Sequence, residues 1–342
     1  MRILWLRPSK GDNISVRRER IAEKLRLRGY EIDIRDSSGL DAVGAIKQAI
    51  TGKYDVISGN VRMGLYLGYP LARLLRTPFI GDVSDPLSDI SDLPSPLFHL
   101  LERYEWFVLN RADTAVFVYK TDHRKALDRN IRHAKRLPNA VDYEQFAEPA
   151  EAAVSEAAEI LAKQGVNLNK PIAIYIGVFS SNYCIKPLLE TALRATDWDF
   201  VFLGEGELKG TVESYAKDIK NIYYPGALPY RLMPGFLSHA DVGFCFKDAE
   251  QPLKLKEYGA AGLPIIVRPG KLSKWYDTDE LVFVDPEPEL IANCLHNLKN
   301  DTEMYNSYSE AGRKIATEWS WEEIADKYEE IFIQLTQNNQ ST

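Results

Sequence analysis

Short β-rich apolar runs alternate with helix-patterned stretches along almost the whole chain. Such alternation predicts a parallel sheet covered by helices on both faces. Runs at 3–6, 31–34, 55–58, 78–81 and 114–118 read as strands, separated by segments whose apolar period is near 3.6. A polar passage, LPNAVDYEQF at 137–146, leads into a helix rich in Ala and Glu. The alternation then begins again at 171–176, 200–203, 221–224, 242–246, 264–267 and 281–284. At 342 residues the chain exceeds what one core usually organises, so two doubly wound α/β domains are expected in tandem. The first spans 1–145 and the second 146–318, with a closing helix near 319–336 that returns to the first. Parallel sheets place binding loops at the carboxyl ends of their strands, so the cleft between the domains is the expected ligand site.

The composition, 45% hydrophobic and 27% charged, excludes disorder, collagen and coiled coil. The longest clean apolar stretch, 171–179, is a strand's length, too short to span a bilayer. The amino terminus turns polar after six residues, too early for a secretion signal, so a cytoplasmic location is expected. Cys184, Cys245 and Cys294 form no CxxC pair and read as reduced packing residues. His99, His123, His133, His239 and His296 make no HExxH pattern, and neither a metal nor a tightly bound cofactor is expected. Residues 1–150 hold 24 Lys and Arg against 20 Asp and Glu, whereas the remainder holds 18 against 29. A basic half suits an anionic partner such as a phospholipid surface or a diphosphate-bearing substrate; a solvated imbalance is the alternative. Nucleic acid is not an expected partner.

The most informative stretch is QPLKLKEYGAAGLPIIV at 251–267. Pro252 opens a helix without losing a hydrogen bond, and Gly262 and Pro264 end it before a β-branched run. The first turn, from Pro252 through Leu253, Lys254 and Leu255, leaves amides free to meet the phosphates of a nucleotide, with Lys254 adding charge. Glu257 lies one turn on, on the same face, where a carboxylate accepts from the two hydroxyls of a ribose; a surface ion pair is the plainer reading.

Through Lys254, Glu257, Tyr258, Ala260, Gly262 and Pro264, this stretch resembles the nucleotide-sugar site of glycosyltransferase family 4 and its GT-B relatives. It is nearest in pattern to members of the glucuronosyl- and polysaccharide-assembly type. LPNAVDYEQF, DFVFLGEGELKG at 199–210, the segment 223–246 and EWSWEEIADKYEEIF at 318–332 extend the likeness over most of the second half. The resemblance implies a GT-B fold of two Rossmann-like domains, the second binding the donor. It implies transfer of a UDP- or GDP-linked sugar, without metal and with retention, to a hydroxyl of a lipid-linked glycan or polysaccharide precursor. It also implies that Gly177 and Lys186 approach the diphosphate and that Tyr224 and Tyr230 border the base. Two departures stand out. Ala249 occupies the place of a family glutamate, with Glu250 beside it. Val178 follows Gly177 where the family carries a base, leaving Lys186 as the nearest one.

In the first half, Gly11 sits in a strand-to-helix turn that permits close approach of a phosphate or acceptor, with Arg17 and Arg18 following. Arg17, Arg20, Lys24 and Arg28 fall on one stripe, a geometry suited to peripheral docking on anionic lipid or to plain solvation. A second basic cluster comprises Arg124, Lys125, Arg129, Arg132, Lys135 and Arg136. The run GDVSDP ends a strand, so Asp82 or Asp85 is the expected catalytic carboxylate acting on an acceptor hydroxyl. GEGELKG at 204–210 departs from a dinucleotide fingerprint at Lys209, and Asp197-Trp198-Asp199 reads as a turn rather than a metal-binding pair. A nucleotide-sugar epimerase, a non-catalytic binding subunit and a nicotinamide oxidoreductase are the rival readings.

Overall fold

The computed structural model describes residues 1–8, 16–84 and 94–340, side chains of 338–340 excepted. Two compact units divide the chain: Met1–Pro138 with Trp321–Thr342, and Asn139–Ser320.

In the first unit, β1 (Arg2–Arg7), β2 (Glu31–Asp36), β3 (Val56–Asn60), β4 (Phe79–Val83), β5 (Thr114–Phe117) and β6 (Ala134–Arg136) form one sheet. Its order is β2-β1-β3-β4-β5-β6, every pair parallel. All residues of β3 and β4 are buried, as a sheet covered on both faces requires. The last helix, Trp321–Gln340, belongs to this unit and buries Trp321, Ile324, Tyr328, Ile331 and Phe332. Tyr328 packs on Trp5 of β1, with ring centroids 5.2 Å apart. Strand β6 was not expected from sequence: three residues, Ala-Lys-Arg, at a sheet edge carry too little apolar signal to show alternation.

The second unit carries β7 (Ile172–Ile176), β8 (Asp199–Leu203), β9 (Ile222–Gly226), β10 (Val242–Cys245), β11 (Ile265–Val267) and β12 (Val282–Phe283). Its order is β12-β11-β10-β7-β8-β9, again all parallel. This is the Rossmann arrangement, and the direction of winding reverses between β7 and β10, where such sheets open a crevice beyond their strand ends.

Candidate functional site

The loops leaving β7 and β8 lie side by side because glycine lines their contact. Gly177 N–H donates to Leu203 O at 2.8 Å and Phe179 N–H to Glu205 O at 2.8 Å. Gly204, at φ +135°, lies so close that a Cβ there would stand 1.9 Å from Gly177 O. The glycines of GEGELKG therefore nest two strand exits together rather than cradle a dinucleotide.

Against this floor sits the helix Leu253–Ala260, which follows β10. Gly259 presses it onto the helix Thr302–Thr317: a Cβ on Gly259 would come 2.2 Å from Gly312 O. Tyr258, fully buried, accepts from Ile176 N–H at 3.0 Å and so fastens the helix to the end of β7. Asn139 Nδ2 donates to Gln251 O at 2.8 Å and fixes the chain just before the helix.

These contacts place Lys254 at the switch point. Its stem is half-buried, but Nζ is enclosed and has no hydrogen-bond partner among the described residues. Nζ stands 3.9 Å from the ring centroid of Tyr175 on β7 and 5.3 Å from that of Tyr183 in the turn beyond it. Gly177 is the other wall, where a Cβ would approach Nζ to 2.7 Å. Loss of hydration pushes the ammonium down to about 8. One helical turn on, buried Glu257 accepts at Oε1 from the Tyr230 hydroxyl at 2.6 Å. An enclosed ammonium beside a helix start, with a carboxylate one turn away, has the chemistry to attract an anion and, beside it, to accept from hydroxyls. Gly177, Lys254, Glu257 and Tyr230 are thus brought together. Tyr175 and Tyr183 are the lining residues that sequence reasoning missed; only strand order reveals that the end of β7 faces this helix.

Other expected residues lie elsewhere. Lys186 is exposed and 3.9 Å from Glu190 on its own helix, Ile185–Thr191. Tyr224 donates to Gly204 O at 2.9 Å, bracing the glycine loop. Leu255 is buried in the core, while Pro252 caps the helix and Leu253 begins it. Gly11 and Asp85 lie outside the described residues. Asp82 does end β4, but its carboxylate is fully buried and accepts from the Tyr328 hydroxyl at 2.7 Å. In this conformation it is a packing partner of the last helix rather than an accessible base.

Arg17 is buried and donates to Leu137 O and Pro138 O at 2.8 and 2.6 Å, and buried Arg18 donates to Asn60 Oδ1 and, at 3.2 Å, to Ser84 Oγ. The basic stripe is likewise engaged within the first unit. Arg28 pairs with Glu322, with Asp326 at 2.7 Å and with Glu329 at 2.9 Å; Lys24 lies 3.8 Å from Glu322, and Arg20 3.0 Å from Glu23. Two of its four bases, Lys24 and Arg28, thus meet acidic residues of the last helix. Asp197 and Asp199 pair with Lys299 and Lys170 at 2.5 and 2.7 Å, away from the strands' carboxyl ends. Among the described residues, no group of three or more His, Cys, Asp or Glu is disposed to hold a metal, and no helix is long and apolar enough to cross a membrane.

Residues 184–330 match the glycosyl transferase-like family. Over 276 residues the chain is 26% identical to TuaH of Bacillus subtilis (strain 168), a proposed teichuronic acid biosynthesis glycosyltransferase, covering 74% of this chain and 67% of that one. The chain is a glycosyltransferase with the GT-B fold. Anabaena HepE, solved with UDP and glucose, superposes on this glycosyltransferase with a TM-score of 0.76 at 15% identity, covering 98% of this chain and 100% of that one. Sucrose-phosphate synthase from Thermosynechococcus elongatus gives 0.77 at 17% identity, over 99% and 100%. Both likenesses establish the fold over 98% and 99% of this chain.

Proposed function

We propose that this glycosyltransferase takes a sugar from a UDP-linked donor held by its second unit and passes it to a hydroxyl of a glycan or lipid-linked glycan. The observation that carries the reading is the enclosed Lys254 ammonium at the β7/β10 switch point, without a hydrogen-bond partner among the described residues. A charge kept from water without a partner costs stability, and an anionic ligand offsets that cost. Lys254, with the first amides of its helix, is placed to stabilise the charge that develops on a leaving diphosphate. Glu257, positioned by Tyr230, would accept from ribose hydroxyls. Support for uridine comes from HepE, solved with UDP and glucose, and support for a glycan acceptor from TuaH. Retention without metal is supported by the family 4 resemblance alone.

The test is a thermal-shift panel of UDP-, GDP- and other nucleotide sugars, followed by turnover with glycan acceptors. A donor at a hundred times its Kd adds about 2.7 kcal/mol to folding stability. Glu257→Ala is expected to raise donor KM about tenfold or more, the loss of hydrogen bonds to a charged group, in a chain that still unfolds cooperatively, about 1–3 kcal/mol less stable for the stranded Tyr230 hydroxyl. Donor consumed without acceptor would indicate epimerisation or hydrolysis, and wild-type donor kinetics in Glu257→Ala would remove this carboxylate from the site.

A further inference from the structure

A nucleoside diphosphate brings more than one negative charge, and Lys254 supplies one positive charge. No base directly follows Gly177, and Lys186 is exposed beside Glu190. A second cation arrives from a different strand. Lys247 lies two residues beyond β10, the strand that pairs with β7 at the switch point. Its Nζ is 5.8 Å from the ring centroid of Tyr183, and the same ring lies 5.3 Å from Lys254 Nζ. Two ammonium groups therefore converge on one ring of the turn that follows β7. They are close enough that Lys247 disfavours the charged form of Lys254. Gathering like charges costs energy, and the π-face of Tyr183 offsets part of it. An anion with two charged centres relieves the repulsion and gains attraction from both.

We propose that Lys247 and Lys254 together clamp the donor diphosphate. Lys247 replaces the base missing after Gly177, and Tyr183 holds both ammonium groups in place before the donor arrives. This rests on the donor reading above and assigns its phosphate contacts.

The test compares UDP with uridine by calorimetry. Lys247→Met should weaken UDP binding about ten- to a hundredfold, the range for losing one charged contact, and leave uridine binding unchanged. Lys247→Arg should recover most of the loss. In the unsubstituted protein, UDP but not uridine should slow reductive methylation of Lys247, read by mass spectrometry, a measurement that requires no variant to fold. Wild-type UDP affinity in Lys247→Met, or methylation of Lys247 indifferent to saturating UDP, overturns the clamp. If Lys254→Met has meanwhile lost UDP, the donor reading survives that failure. Absence of UDP binding by the wild-type protein overturns both.

Discussion

Lys254 holds a charge where the folded protein disfavours it. The unfolded chain keeps a lysine near 10.5, whereas burial brings the folded value to about 8. Between those values the unfolded state binds a proton that the folded state lacks, so this residue's contribution to stability rises with pH across that window. Below pH 8 the full cost applies, about 3 kcal/mol. Lys254→Met should therefore be more stable than wild type at pH 7, with the advantage shrinking toward pH 10.5; urea titrations at several pH values measure it. Donor binding needs the charged form, so UDP affinity should fall as pH rises above 8, by up to about tenfold per unit, since each proton taken up on binding must come from solution. Lys254→Arg should show no such fall, and calorimetry from pH 7 to 9.5 decides. Lys254 and Glu257 were legible because a proline, two glycines and the helical period fix which residues share a face. The Tyr230 hydroxyl bond to Glu257 spans 27 residues and leaves no trace in local pattern. Lys247 was invisible for a related reason: its closeness to Tyr183 follows from β10 lying next to β7, and strand order is not written in periodicity.

At the level of elements, the site depends on backbones that approach where side chains would prevent it. Gly204→Ala would drive a methyl into Gly177 O from a left-handed backbone conformation. We expect a loss of about 1–3 kcal/mol, the usual cost of overpacking, together with weaker donor binding as the floor under Lys254 shifts. Denaturant midpoints and UDP titrations on one preparation test both. Five of the first unit's strands and all six of the second were foreseen, because each joins a run of apolar or β-branched residues to a turn signal. The edge strand Ala134–Arg136 has neither. The partners of the basic stripe were hidden for a similar reason. Periodicity places Arg28 on a face, but its neutralising partners Glu322, Asp326 and Glu329 come from the far end of the sequence.

Across the whole molecule, the chain's two ends share one unit. Tyr328 lies against Trp5 and donates to Asp82 in a buried setting that raises its own phenol well above the ordinary value, burial being the larger cause and the Asp82 charge the next. Asp82→Ala would strand that hydroxyl and cost about 1–3 kcal/mol, whereas Asp82→Asn keeps an acceptor and should cost less. If Asp82 instead acts on the acceptor, Asp82→Asn would abolish turnover at near-native stability, so kcat measured beside the unfolding midpoint separates the two roles. The shared unit also sets an order of events during synthesis. A ribosome releases the opening sheet long before residue 321, and at about 5–20 residues per second the wait is on the order of ten to forty seconds. Throughout that interval the nascent chain shows Trp5 to solvent, so a holding chaperone that recognises aromatic surface has a defined moment at which to act.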